Sequence, residues 1–134
     1  MILLVEDNPD DAGLTMRSLK KNNLSNNLLH LEDGEEALEY LEKHNHNKLP
    51  KVILLDLKMP KVDGLEVLRI IKKDPILKLI PVVILTSSKE EQDLVQSYSL
   101  GANSYIRKPI DFDNFMDAAN QMGMYWLLLN EVPY

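Results

Sequence analysis

Lys51-Val52-Ile53-Leu54-Leu55-Asp56 decides the architecture. An alternating pattern would mark a strand with one wet face, whereas an unbroken apolar run of this length marks a strand covered on both faces. The run then stops on a carboxylate. Val82-Val83-Ile84-Leu85 repeats the pattern and stops on Thr86. Strands buried on both faces belong to parallel sheets sandwiched between helices, and the surrounding sequence reads accordingly.

Working outward, three further β-rich runs occupy Ile2–Val5, Leu28–Leu31 and Ser104–Ile106, and stretches of helical periodicity follow the runs. Five strands alternating with five amphipathic helices imply right-handed crossovers and a mostly parallel sheet. The helix starts are well marked, because an Asx or Ser residue stands three positions before an acid, the spacing at which side chains satisfy free amides. Asn8 with Asp11, Asp33 with Glu36, Asp63 with Glu66, and Ser88 with Glu91 all fit. Pro9 falls where the first turn needs no amide donor. In the last helix Phe112, Phe115, Met116, Ala119, Met122 and Trp126 recur at three- and four-residue steps and form one stripe aimed at the sheet.

The chain has 134 residues, 45% apolar and 27% charged, which suits a single globular domain over residues 1–134. No apolar run approaches the roughly 20 residues of a membrane span. The amino terminus lacks the basic and small-residue elements of a secretory signal, so a cytoplasmic address is expected. With no cysteine there is neither a disulfide framework nor a thiolate metal site. A net charge of −6 and the lack of a clustered basic face argue against nucleic-acid binding. Lys43 to Lys51 is the most linker-like stretch, but it spans one loop.

Ligands in open parallel sheets gather beyond the carboxyl ends of the strands. There the sequence places Glu6 and Asp7, Asp56, Thr86 and Lys108. Crowded carboxylates repel one another and take up protons unless a cation neutralises them. Magnesium suits such a site, since it accepts one or two carboxylates and keeps waters and phosphate oxygens in its other positions. Taken alone, Glu6 and Asp7 also fit as acids at a helix start, and Asp56 as an ordinary strand-end acid. A carboxylate held at a strand end can nonetheless attack a phosphoryl group, given stabilisation of the transferring oxygens. Thr86 offers a hydroxyl for those oxygens; Ser88, with Glu91 at the right spacing, is the better helix cap. Lys108 can pair with Asp56 or neutralise phosphate, or simply lie along the surface. The Lys108-Pro109 bond is a candidate cis peptide.

Together these residues resemble the receiver domain of bacterial two-component response regulators. The resemblance covers nearly the whole chain: Glu6-Asp7, Asp56, Met59-Pro60, Asp63-Gly64, Thr86, and Tyr105-Ile-Arg-Lys108-Pro109. The 30 positions from Asp56 to Thr86 and 22 from Thr86 to Lys108 also fit. What the resemblance implies is a flavodoxin-like, doubly wound α/β fold with a five-stranded parallel sheet in the order 2-1-3-4-5 and five helices. It also implies a phosphoryl group delivered to Asp56 by a sensor histidine kinase, and Mg2+ bound by Asp7, Asp56 and the main-chain carbonyl of Lys58, with Glu6 acting through water. Thr86 and Tyr105 would then form a two-state switch that reshapes the face of the fourth helix, fifth strand and fifth helix. The acidic pair here is Glu-Asp in place of the more usual Asp-Asp.

Beyond the last stripe the chain continues Met-Tyr-Trp-Leu-Leu-Leu-Asn-Glu-Val-Pro-Tyr, apolar around most of an extended helix that starts near residue 111. Tyr125, Leu128 and Leu129 are candidate contacts to a second subunit, with a turn packed on its own domain as the alternative. This ending resembles the stand-alone regulators that partner bacterial phytochromes, which implies a phytochrome-type kinase and a homodimer. His44 and His46 lack a third ligand and read as a solvated loop. A phosphatase of the haloacid dehalogenase class would need a second aspartate where Lys58 stands.

Overall fold

The computed structural model describes residues 1–20, 28–43, 49–57, 59, 62–86, 99–102, 104–108 and 112–121. In chain order the elements are β1 (Ile2–Val5), α1 (Pro9–Lys20), β2 (Leu28–Leu31), α2 (Gly34–Lys43), β3 (Val52–Asp56), α3 (Gly64–Lys73), a 3-10 turn at Leu77–Leu79, β4 (Val82–Thr86), β5 (Ser104–Arg107) and α4 (Phe112–Gln121). The helix expected after Ser88 lies outside the described residues, so the carboxyl-terminal helix is α4 here. The sheet runs β2-β1-β3-β4-β5, and each pairing is parallel. This is the doubly wound order that the family resemblance implied.

Both fully apolar runs lie in the middle of the sheet, and every described side chain of β1 and β3 is buried. Alternation divides them between two layers. Ile2, Leu4, Val52, Leu54, Val83, Leu85 and Ile106 face α1 and α4, meeting Ala12, Leu19, Phe115 and Met116. Leu3, Val5, Ile53, Leu55, Val82 and Ile84 face α2 and α3, meeting Ala37, Leu41, Val67, Leu68 and Ile71. Each fully buried Leu, Ile or Val contributes about 1.5–3 kcal/mol, so a one-residue slip of the central strands, which exchanges the two sets, is strongly disfavoured.

Three of the four caps form as read, and the fourth, Ser88 with Glu91, lies outside the described residues. Asn8 Oδ1 accepts from the amides of Asp10 at 2.9 Å and Asp11 at 3.0 Å, and α1 begins on Pro9. Asp33 Oδ1 accepts from Glu36 N at 2.8 Å, and Asp63 Oδ1 from Glu66 N at 2.9 Å. The reciprocal half of the capping box is altered. Glu36 accepts from the amide of Glu32 in place of Asp33, and Glu66 pairs with Arg69. Of the final stripe, Phe115 and Met116 are buried in the core, and Met122 and Trp126 lie outside the described residues.

Three strands run one residue farther than the apolar patterns suggest. Asp56, Thr86 and Arg107 each belong to a ladder, with Asp56 opposite Leu85 and Thr86 opposite Arg107. Backbone pairing continues past the last apolar side chain because the neighbouring strand continues too. Asp56 is thus held by the sheet itself, not by the loop that follows.

Candidate functional site at the carboxyl edge of the sheet

The order β2-β1-β3 reverses direction of growth at the β1/β3 pair, the crevice where open parallel sheets bind ligands. Val5 lies opposite Leu55, which brings Glu6 level with Asp56. Two residues before Glu6, Asp56 and Lys108 stand Leu4, Leu54 and Ile106, all in the layer against α1 and α4. Continuing the same alternation aims the three charged side chains into that layer. Their convergence is a consequence of period-two geometry at three strand ends.

Glu6 is fully buried and Asp56 nearly so. Carboxylate oxygens of Glu6, Asp7 and Asp56 all lie within 4.8 Å of one another. Lys108 Nζ sits 2.7 Å from Glu6 Oε1, 3.1 Å from Asp11 Oδ2 and 3.2 Å from Asp56 Oδ1. β5 is separated from β3 by β4, a gap of about 10 Å at ordinary strand spacing. Only a long side chain spans it, which is the physical case for lysine at this position. The Glu6 contact is an ion pair without a directed hydrogen bond, since Oε1 has no hydrogen-bond partner among the described residues. Its other oxygen accepts from Asn8 N at 3.3 Å.

Burial, then the adjacent Glu6 carboxylate, push Asp56 up to about 8, with Lys108 pulling in the opposite direction. Burial likewise works against the charge of Lys108, but Glu6, Asp56 and Asp11 outweigh it and hold the ammonium above its ordinary value. In a simple ion pair the acid would fall as the base rises. Here one cation serves three carboxylates, so Lys108 is satisfied several times over while Glu6 and Asp56 face each other at close range. Asp56 therefore retains its proton near neutral pH. A hard divalent cation relieves the same repulsion. The oxygen-only donor set of Glu6, Asp7 and Asp56 fits such an ion and offers neither nitrogen nor sulfur for a softer one.

The remaining expected residues divide in two. Thr86 ends β4 beside Asp56, although its side chain lies outside the described set. Tyr105 lies on β5 with 39% of its surface exposed. Lys58, Pro109, His44, His46, Tyr125, Leu128 and Leu129 are outside the described residues.

The structure gives four residues a part in the site that the sequence reading did not assign them. Asp11, read only as a partner of the Asn8 cap, reaches Lys108. The signal for it was the spacing of α1: Asp11 stands four positions before buried Thr15 and eight before buried Leu19, at the site end of the same stripe. His30 Nε2 lies 2.8 Å from the carbonyl oxygen of Glu6, tying β2 to the loop after β1. Asn8 serves the helix through its side chain and Glu6 through its amide. Gly64 supports Asp56 from the other side: its amide donates to Leu57 O at 2.8 Å, and a Cβ there would strike the Asp56 carbonyl oxygen and lie 2.6 Å from Leu57 Cα.

No helix among the described residues is long and apolar enough to cross a membrane. Residues 2–120 match the response regulator receiver domain family. The chain is 43% identical over 135 residues to FilR2 of Methanothrix harundinacea, a probable methanogenesis regulatory protein, covering 99% of this chain and 87% of that one. It is 39% identical over 136 residues to the response regulator Rcp1 of Synechocystis, covering 99% and 92%. The Mn(2+)-bound structure of Rcp1 superposes with a TM-score of 0.75 over 98% of this chain and 96% of that one. The bacteriophytochrome response regulator AtBRR superposes with a TM-score of 0.83 at 53% identity, over 97% and 96%. A family match over most of the length, and relatives of nearly the same size, agree with the buried acidic edge and its lysine: the chain belongs to the response regulator receiver domains, the phosphoacceptor proteins of two-component signalling.

Proposed function

We propose that Asp56 is the phosphoryl acceptor of a single receiver domain spanning residues 1–134, and that Mg2+ assists both its phosphorylation and its dephosphorylation. The observation that carries this reading is Lys108 Nζ, 3.2 Å from Asp56 Oδ1 beside the Glu6, Asp7 and Asp56 oxygens. In the transfer an Asp56 oxygen bonds to phosphorus, and the bond from phosphorus to the donor breaks with its electron pair leaving on the donor. Asp56 must attack ionised, so the proton held against Glu6 has to leave first. Asp7, Asp56 and the main-chain carbonyl of Lys58 would hold the metal, with Glu6 acting through water. When bound, the ion neutralises the acids and the transferring oxygens. Lys108 supplies a further fixed positive charge to those oxygens. Thr86 would donate its hydroxyl to them, and Tyr105 would move with it as the switch.

A phytochrome-type histidine kinase fits as the donor, because AtBRR and Rcp1 are regulators of similar length and sequence, and AtBRR is a bacteriophytochrome response regulator. That a structure of Rcp1 is the Mn(2+)-bound form supports a divalent ion for a receiver of this kind. Output passes through protein contacts in the cytoplasm, with Tyr125, Leu128 and Leu129 joining a homodimer across the helix preceding β5, β5 itself and α4. Incubation with acetyl phosphate and Mg2+, followed by intact mass, should show one added phosphoryl group that disappears with chelator and in Asp56→Asn. Label that persists in Asp56→Asn would overturn the assignment.

A further inference from the structure

We propose that Asp11 is a positioning residue that competes with the phosphoryl group for Lys108 and thereby restrains phosphoryl uptake. This deepens, and rests on, the reading of Asp56 as acceptor. Lys108 is 10% exposed and Asp11 35% exposed, so Asp11 lies on the solvent side of the ammonium, whereas Glu6 is fully buried. Lys108 Nζ donates to Asp11 Oδ2 at 3.1 Å. Glu6 at 2.7 Å and Asp56 at 3.2 Å also hold the ammonium from within, so Asp11 is one of three anchors. What Asp11 adds is a negative charge at the mouth, bound to the very cation that an incoming phosphoryl dianion needs. It lies outside the group of carboxylates able to share a metal ion, which comprises Glu6, Asp7 and Asp56 among the described residues.

A first-turn acid at this position also stabilises α1 through the helix dipole, and Asp10 provides the control. Asp10 occupies the same turn, carries the same charge and has its amide on the same Asn8 oxygen, but it is exposed and has no contact to Lys108 among those described. Releasing a half-exposed ion pair of this kind is equivalent to roughly a threefold change.

The experiment measures initial phosphorylation rate at subsaturating acetyl phosphate and saturating Mg2+, by intact mass, together with Mg2+ affinity by calorimetry. Asp11→Asn should phosphorylate about threefold faster, Asp11→Glu should return toward wild type, and Asp10→Asn should match wild type. Mg2+ affinity should be the same in all four proteins. An Asp11→Asn rate equal to or below wild type, or an equal acceleration in Asp10→Asn, overturns the proposal. Weaker Mg2+ binding in Asp11→Asn would instead make Asp11 part of the metal site and overturn it too. Each of these failures leaves Asp56 standing, whereas label on Asp56→Asn removes the acceptor reading itself.

Discussion

Asp56, buried beside Glu6, sets the acid–base behaviour of the site. An ordinary aspartate titrates near 3.8, and burial with Glu6 alongside raises Asp56 to about 8. Between those values the folded chain binds a proton that the unfolded chain has lost, so stability is fullest at low pH and falls as pH rises toward 8. In chelator, the melting temperature should therefore decline from pH 6 to pH 9, and Asp56→Asn, which cannot ionise, should flatten the decline. Added Mg2+ should oppose the loss most strongly at the alkaline end, where Asp56 is ionised. Thermal denaturation across that range checks the sign; equal slopes in wild type and Asp56→Asn would show that other groups dominate. The buried charge is thus a local cost that a cation or a phosphoryl-bound lysine can relieve, which links the switch to its ligand.

At the scale of elements, the start of α3 packs closely on the end of β3. Asp63 caps α3 while Gly64 packs directly on the Asp56 and Leu57 backbone. Backbone atoms cannot step aside as a side-chain end can, so Gly64→Ala must displace the helix start or the Asp56 backbone. It should cost about 2–3 kcal/mol, a fall of very roughly 10 °C in melting temperature, and should slow phosphorylation as well. Gly13 provides the contrast, because a Cβ there meets nothing within 4 Å. In the middle of α1, Gly13→Ala should stabilise by about 0.4–1 kcal/mol without altering phosphorylation. A Gly64→Ala protein as stable as wild type would show that the joint is softer than its geometry implies.

For the whole molecule, the open matter is where the signal is read. Its net charge of −6 keeps copies apart at long range, so any self-association must come from a local apolar patch. The carboxyl-terminal run is the one such patch evident in the sequence, and Tyr125, Leu128 and Leu129 are its proposed contacts. Sedimentation of the wild type at high micromolar concentration should show a dimer, and replacing these three residues by serine should leave monomers that still accept phosphate. A wild type that sediments as a monomer, with and without phosphorylation, would place the output surface elsewhere.

The apolar run Val52–Leu55 ending on Asp56, the parallel run ending on Thr86, and the Asx caps were legible because they are local: strand burial, helix starts and strand ends follow from neighbours two to four positions apart. The acidic edge was legible for the same reason, since each of its members directly ends or follows an apolar run. Strand ends proved one residue longer than the apolar pattern because backbone pairing, not side-chain polarity, terminates a ladder. The bond between Lys108 and Asp11 joins residues 97 positions apart, and the spacing of α1, which puts Asp11 at the site end, does not name its partner. It exists because the order β2-β1-β3-β4-β5 and the packing of α1 over one layer bring β5 and the first turn of α1 to the same buried acids. The sequence alone thus singled out Asp56 as the proposed acceptor; tertiary packing decided which charges share its lysine, because that depends on distances that only the folded sheet defines.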